Sequence, residues 1–214
     1  MNDKQYLTLR KNIIKYLQNS LGERLFLHCL GVEAAAVQIA AASANYSLIK
    51  RCSIAALMHD AAKGLSLLEM KSAVKRAGYK LSSGVLEKEG LLHGHASACI
   101  ALETFNISDR PVITAVRHHT LGRLKMSVLE KIIFISDYIE PGRRFAGIEE
   151  LRSSVYRAIF NDCLDRALLL VVRDKIRTLE AMGVSIEKIL FGINDSLSIA
   201  LENGPAYARG GQPS

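Results

Sequence analysis

Six histidines lie between His28 and His119, and none occurs elsewhere in the 214 residues. His59 is followed directly by Asp60 inside an otherwise apolar run, residues 55–62, whose pattern predicts a helix. An unpartnered carboxylate in such a run would cost several kcal/mol. Histidine nitrogen and aspartate oxygen together suit divalent iron, manganese, cobalt, nickel or zinc. The doublet therefore predicts a metal site.

Other polar residues are predicted to face the same interior. His28 continues an apolar stripe that starts at Leu21, with spacing i, i+4, i+7 and i+11. His119 ends a stripe that starts at Val112, with spacing i, i+3, i+4 and i+7. Asp137 lies in the apolar run 131–139. Each of these residues alone is more simply explained as a hydrogen-bonded core histidine or a buried salt bridge to Arg or Lys.

Taken together, the same residues favour a shared cation. One inward histidine on each of four helices, with two buried carboxylates, supplies several nitrogen donors and two negative charges. Spacing alone does not choose between His93 and His95 as the histidine of the third helix. His118, beside Arg117, is predicted to be exposed.

The elements that must position these residues are predicted to be helices. Apolar residues recur at three- and four-residue intervals almost throughout, and alternating β-branched runs are missing, so we expect an all-α fold. Ser66 and Ser127 each have a glutamate three residues later, the pattern of a capping box. Residues 79–92 and 140–148 are predicted to be loops, and the second could close over a ligand. Helices are expected near 5–20, 23–43, 47–62, 66–77, 93–105, 109–119, 127–139, 149–160, 162–182 and 194–203.

The composition predicts a compact, soluble, cytoplasmic domain. Hydrophobic residues make up 49%, no linker divides the chain, and neither a signal peptide nor a bilayer-spanning run is recognised. The four cysteines are widely separated and are predicted to be free thiols. The net charge of +7 raises nucleic acid as a partner, but Lys and Arg are scattered and not interleaved with aromatic residues. We therefore expect a polyanionic small molecule as partner, and neither nucleic acid nor membrane.

The ordered series of His28, the His59-Asp60 doublet and Asp137 resembles the HD-domain metal-dependent phosphohydrolases, an all-helical superfamily. Longer segments are similar to the YqeK family, the bacterial symmetrical diadenosine tetraphosphate hydrolases. These segments are LMHDAAK (57–63), LHGH (92–95), HTLG (119–122), MSVLEK (126–131) and SDYIEPGR (136–143). The resemblance covers roughly residues 20 to 185, and Ser136 stands where we would expect Ala.

The resemblance implies a metal centre and its ligands. His28, His59, Asp60 and Asp137 would bind the main metal, which in this family looks like iron, with manganese, cobalt or nickel as alternatives. His93 is favoured over His95, and His119 over His118. We expect His93 and His119 to contact phosphate, and the second possibility, that they bind a second divalent ion, stays open. In the second case Asp60 would bridge ions roughly 3.5–4 Å apart.

The resemblance also implies a substrate and the residues that meet it. The substrate is a dinucleoside polyphosphate, diadenosine tetraphosphate, and the catalytic residues are Asp60, His93 and His119. Substrate contacts are expected from Lys63, Arg143, Thr120 and several neighbours. The full set is Asp60, Ala61, Ala62, Lys63, His93, His119, Thr120, Asp137 and Arg143.

The implied domain organisation has three parts. An N-terminal helix at 1–22 precedes an HD-domain helical bundle at 23–185 that continues as one globular unit to about 203. Residues 204–214 are predicted to be a disordered tail. The family likeness suggests a homodimer.

The implied reaction is attack by metal-bound hydroxide on a bridging phosphate, in line with the departing nucleotide, to give two ADP. One alternative keeps the metal site but acts on a nucleoside triphosphate, a deoxynucleotide monophosphate or a cyclic dinucleotide, because folds host many substrates. Another is a non-catalytic nucleotide-binding or signalling module. That alternative ranks low, because every expected ligand is present.

Overall fold

The computed structural model describes residues 1–42 and 45–203. Within these residues all regular secondary structure is helical, so the all-α prediction is confirmed. The helices are α1 (Asp3–Ser20), α2 (Glu23–Ala41), α3 (Tyr46–Met58), α4 (Leu67–Arg76), α5 (Ser83–Leu86), α6 (Glu89–Glu103), α7 (Arg110–His118), α8 (Val128–Ile139), α9 (Ile148–Phe160), α10 (Leu164–Ala181) and α11 (Lys188–Asn203). The tail predicted at 204–214 lies outside the described residues.

Three helices, α2, α3 and α8, pack against one another at the centre of the bundle. The apolar run of α8 predicted a surrounded helix, and residues 132–136 are all buried. Helices α6 and α7 close one side, while α9, α10 and α11 stack beyond α8. Helix α1 covers α3, with Ile13 and Leu17 fully buried. Helices α2, α3, α6, α7 and α8 are thus packed as neighbours around one part of the core.

Helix α2 is long and apolar enough to cross a membrane by length and composition. In this fold it serves as a core helix, with residues such as Cys29, Val32 and Ala36 inaccessible to solvent. It also carries Glu33, whose carboxylate accepts hydrogen bonds from Arg10 Nε and from the Ser53 hydroxyl. Helix α2 thus contributes one buried face to the core.

Local signals fix several helix starts. Ser66 and Ser127 each form the predicted capping box, and Asn2 forms another at the start of α1 that the sequence analysis did not identify. The segment predicted as a loop at 79–92 contains α5 and the first turn of α6. The last helix starts at Lys188, six residues before its predicted start at 194 (194 − 188).

The predicted helix at 47–62 ends early, at Met58. Residues 59–63 continue as tight turns, in which Ala61 N–H donates to Met58 O and Lys63 N–H donates to Asp60 O. Successive side chains of an α-helix diverge by about 100° around the axis. The turns after α3 instead let both His59 and Asp60 point to the interior, where both are fully buried.

Candidate metal centre

Four predicted ligands meet at the junction of α2, α8 and the turns after α3. His28 Nε2 lies 3.2 Å from His59 Nε2, 3.1 Å from Asp137 Oδ1 and 3.6 Å from Asp60 Oδ2. His59 Nε2 lies 3.2 Å from Asp60 Oδ2 and 3.8 Å from Asp137 Oδ1. Helix α2 supplies His28 and α8 supplies Asp137, so elements far apart in sequence build this end of the site.

A second cluster of donors lies on the other side of Asp60. His93, in the second turn of α6, and His119, just past α7, bring their Nε2 atoms within 2.9 Å of each other. These atoms lie 3.2 and 3.4 Å from Asp60 Oδ1. The two oxygens of Asp60 thus face two different pairs of imidazoles.

The orientation of all four imidazoles is set by their Nδ1 atoms. Each Nδ1 lies within hydrogen-bond distance of an oxygen that can only accept, so each must donate. The partners are Glu140 Oε1 for His28 (3.1 Å), Ala56 O for His59 (2.6 Å), Glu89 O for His93 (3.1 Å) and Val116 O for His119 (2.8 Å). Every Nε2 is thereby directed at the centre, as in metal-binding histidines.

The electrostatics favour ionised carboxylates. Burial raises the pKa of Asp60, but the His59, His119 and His93 rings more than offset this and hold it well below its ordinary value of 3.8. Burial also raises the pKa of Asp137, but the hydrogen bond with His28 outweighs this effect. The pKa of Asp137 is therefore also well below its ordinary value of 3.8. Two negative charges therefore persist in the core at neutral pH.

The imidazoles differ in proton affinity. Burial lowers the pKa of His28, yet the carboxylates of Asp137 and Glu140 raise it to about 9. Burial is the main reason that the pKa of His93 is lowered. A cation that binds at His28 must displace a proton, so ligand binding and proton release are coupled.

The donor set fits a divalent metal ion. Donors held at about 2.1 Å around one ion lie roughly 3.0–3.4 Å apart, close to the donor separations observed at both ends of the site. Asp60 Oδ1 is buried and accepts no well-formed hydrogen bond from the described residues, which is costly for a carboxylate oxygen. Three donor triplets can hold a cation: His28 with His59 and Asp60, His59 with His119 and Asp137, and Asp60 with His93 and His119.

Two cations and a hydroxyl border the donors. Lys63 Nζ donates to Asp60 Oδ2 at 2.7 Å, and Arg143 donates to Asp137 Oδ1 at 2.7 Å; both side chains are more than a third exposed. Thr120 Oγ1 lies 3.3 Å from His93 Nε2 and 3.2 Å from His119 Nε2. These three predicted substrate contacts are therefore adjacent to the centre.

The predicted contacts at Ala61 and Ala62 have less access. Both side chains are buried, at 1% and 0% exposure. The Ala62 N–H donates to Ser97 Oγ at 3.0 Å, so it is engaged within the protein. These two residues shape the turn that presents Asp60.

Sequence reasoning did not identify Glu140 and Gly31 as parts of the site. Glu140 is 3% exposed, orients His28 and accepts the Gly142 N–H. Gly31 lies against it, because a Cβ at that position would overlap Glu140 Oε2. The Glu-Pro-Gly turn was the available signal for Glu140, although the turn alone does not show which residue Glu140 contacts.

A half-buried lysine was also missed. Lys175 of α10 donates to Thr120 O at 2.7 Å and lies 4.8 Å from the centre of the Phe134 ring. Burial lowers its pKa, and the Asp137 carboxylate partly offsets that effect. Among the described residues no carboxylate lies within ion-pair distance of it, so its charge adds to the positive potential around the site.

His95 and His118 lie outside the centre. Their rings lie edge-on with centroids 6.2 Å apart, and His95 also packs beside Tyr79. Burial and then Arg117 lower the pKa of His95 to about 4. His118 is half-buried, which corrects the prediction that it is exposed; the cause is its packing against α6.

A cleft of about 790 Å³ opens beside the His28 end of the site. One wall is the face of α2 that carries His28, and the opposite wall is the segment 140–145; Lys63 lies between them. Cations dominate the charged side chains of its lining, and Glu140 is the only carboxylate there among the described residues. A ligand in this cleft lies directly against His28, one of the predicted metal ligands.

Comparison with known proteins identifies the family of this chain. The sequence profile of the HD domain matches residues 25–142. Proteins named symmetrical bis(5'-nucleosyl)-tetraphosphatase from Bacillus subtilis and Halalkalibacterium halodurans are 33% and 36% identical, each over 67% of this chain and 75% of the relative. A third relative of that name, from Staphylococcus aureus, is 33% identical over 65% of this chain and 70% of its own.

A solved structure is similar over most of the chain. It is a predicted HD superfamily hydrolase involved in NAD metabolism from Clostridium acetobutylicum, with a TM-score of 0.78 and 36% identity, covering 88% of this chain and 96% of that one. The chain therefore belongs to the HD-domain family and, within it, to the family of symmetrical bis(5'-nucleosyl)-tetraphosphatases. The resemblance noted from the sequence motifs is confirmed.

Proposed function

We propose that this protein is a metal-dependent hydrolase that cleaves diadenosine tetraphosphate symmetrically into two ADP. The observation that carries the proposal is the carboxylate of Asp60, whose two oxygens face two separate pairs of imidazoles beside a cationic cleft. Such a centre suits hydrolysis of a polyphosphate, where charge on nonbridging oxygens must be neutralised. The names of the relatives supply the substrate.

His28, His59, Asp60 and Asp137 would hold the main cation, which we propose to be iron, with manganese, cobalt or nickel able to replace it. When bound, a divalent cation lowers the pKa of water and polarises a phosphate oxygen. Glu140 acts behind His28 by fixing its ring, since partners of this kind tune a ligand.

The remaining residues would bind and orient the phosphate chain. His93, His119 and Thr120 converge on one point and contact a nonbridging oxygen, either directly or through a second cation held with Asp60 Oδ1. Lys63 and Arg143 are exposed enough to turn from their carboxylates to substrate phosphates. Ala61 and Ala62 support this contact by holding the turn that carries Asp60 and Lys63.

Product analysis tests the proposal. Purified protein loaded with iron or manganese is incubated with diadenosine tetraphosphate, and the nucleotides are separated by chromatography. Two ADP per substrate are expected. ATP with AMP, or turnover confined to nucleoside triphosphates, deoxynucleotide monophosphates or cyclic dinucleotides, would contradict it.

Several broader features belong to the same proposal. We propose that the HD domain extends over 23–185, that the enzyme acts in the cytoplasm and that it forms a homodimer. Large apolar side chains on the surface, such as Phe160 at 75% exposure and Met182 at 69%, are consistent with a subunit contact. Light scattering of the purified protein measures the assembly, and elemental analysis identifies the metal.

A further inference from the structure

The cleft beside His28 has a second chemical character that the metal centre does not use. Arg24, Leu27, His28 and Gly31 have the spacing i, i+3, i+4 and i+7 on α2 and therefore share one face of that helix. The face that delivers His28 to the metal thus also presents a cation and an apolar side chain to the cleft. The segment 140–145 opposes them and places Phe145 on the other wall.

Packing in the protein core does not explain the apolar side chains that line the cleft. Leu27 is 56% exposed, although it lies on a central helix. Phe145 is half-buried and packs edge-on against Tyr138, with ring centroids 5.5 Å apart, which fixes its ring. An exposed leucine and an aromatic ring that line the same cleft suit a flat, weakly polar ligand group.

One cation of the cleft, Arg24, also lacks an internal partner. Arg24 is exposed, and none of its contacts with the described residues is a hydrogen bond or an ion pair. Arg144 differs, because its guanidinium donates to Pro141 O and to Arg143 O and so shapes the loop. Arg24 is therefore free to meet an anion that enters the cleft.

We propose that this cleft is a nucleoside subsite, in which one base of the substrate packs between Leu27 and Phe145 while Arg24 contacts the phosphate nearest that nucleoside. The inference rests on the proposed function and names the part of the substrate that the cleft receives. A volume of about 790 Å³ lies within the usual range for ligand pockets and exceeds what a phosphate chain alone requires.

The lining also bears on base selectivity. Among the described residues it contains no Asn, Gln, Ser or Thr side chain that could pair with the edge of a base. The charged side chains of the lining other than Arg24 are engaged within the protein: Glu140 with His28, Lys63 with Asp60, Arg143 with Asp137, and Arg144 with loop carbonyls. Recognition of the base then depends on stacking, which is tolerant of base identity. The substrate class then comprises dinucleoside tetraphosphates that carry adenine or guanine, and not diadenosine tetraphosphate alone.

Calorimetry on manganese-loaded protein tests the subsite without turnover. ADP, GDP and inorganic pyrophosphate are titrated separately into wild type, Leu27→Ala and Phe145→Leu. In wild type, ADP should bind at least about 10-fold more tightly than pyrophosphate, because the nucleoside buries apolar area. Each variant should lose most of that advantage, with pyrophosphate affinity changed less than about twofold.

Matched controls separate the subsite from general effects. Leu68→Ala removes another exposed leucine, on α4, and should leave all three affinities unchanged. Arg24→Gln should weaken ADP binding, and Arg110→Gln, at an exposed arginine on α7, should not. Circular dichroism verifies that each variant is folded.

Equal affinity of wild type for ADP and pyrophosphate would overturn the subsite, as would an unchanged ratio in Leu27→Ala. A preference of more than about 10-fold between ADP and GDP would overturn recognition by stacking, since such selectivity requires polar readout of the base. These results do not depend on catalysis. Failure of the proposed function would instead appear as absent cleavage with the binding pattern intact.

Discussion

Gly31 and Glu140 lie in direct contact, and the absence of a side chain at position 31 is what allows it. A Cβ on residue 31 would overlap Glu140 Oε2, while Oε1 of the same carboxylate accepts the His28 Nδ1 hydrogen at 3.1 Å. The glycine in the middle of α2 therefore determines where Glu140 lies, and Glu140 determines how His28 is oriented.

Gly31→Ala should weaken metal binding roughly 10- to 100-fold, the range found when a partner behind a metal ligand is lost. Alanine is favoured over glycine inside a helix by about 1 kcal/mol, so the metal-free protein should not lose helical content. Titration with manganese or iron measures the affinity. Gly90→Ala is the control, because a Cβ there meets nothing within 4 Å. Equal metal affinity in both variants would show that Glu140 does not act through His28.

The sequence predicts the parts of this site that depend on local pattern. The stripe through His28 and the apolar run around Asp137 correctly indicate side chains that face the interior. Capping boxes at Ser66 and Ser127 are visible because serine and glutamate are three residues apart. Periodicity and capping each involve residues within one or two turns, so they can be read without a fold.

Features that depend on tertiary contact could not be predicted. Lys175 reaches Thr120 from a helix that begins more than forty residues later, at Leu164 (164 − 120 = 44). The pairing of Gly31 with Glu140 joins residues 109 positions apart (140 − 31). The end of α3 at Met58 was missed because an apolar run looks alike in a helix and in buried turns. The choice of His93 over His95 came from family resemblance, since spacing alone did not decide it.

Asp60→Asn should abolish metal binding at both ends of the site and lower turnover by at least about 10²-fold. This loss is larger than the loss expected when only a residue behind a metal ligand is removed. An amide has nearly the same shape as the carboxylate but carries no charge, and only its oxygen can coordinate an ion. Elemental analysis, product chromatography and circular dichroism on one preparation give metal, activity and folding. Asp195→Asn, at an exposed position on α11, is the matched control. Turnover by a folded Asp60→Asn variant would exclude the proposed mechanism.

The start of α8 should be sensitive to acid. Glu130 is 3% exposed; burial raises its pKa, but Arg123 and Ser127 together hold it below its ordinary value of 4.5. A lowered folded-state pKa means that the ionised form adds stability above pH 4.5, and this stability is lost as the pH falls through the lower value.

Glu130→Gln should therefore lower the free energy of unfolding by about 2 kcal/mol at pH 7, because it disrupts the paired hydrogen bonds from Arg123. As the pH falls below 4.5 the difference from wild type should shrink, and it should be lost below the lowered folded-state pKa, where Glu130 is also neutral. Urea unfolding with a chelator present measures it at each pH. Glu150→Gln, at an exposed position on α9, serves as the control. A difference that stays constant with pH would show that the charge of Glu130 is unimportant.

The His93 and His119 end of the site should contribute to catalysis without holding the main metal. Their Nε2 atoms face Asp60 Oδ1, whereas His28 and His59 face Oδ2, so His119→Gln should leave at least one equivalent of metal bound. We expect kcat/KM to fall at least about 10-fold, because a phosphate contact or a second cation is removed. The metal content of wild type then assigns the role: two equivalents falling to one indicate a second ion, and one equivalent in both proteins indicates direct phosphate contact. Loss of all metal from the folded variant, or unchanged kcat/KM, would contradict the division of the site at Asp60.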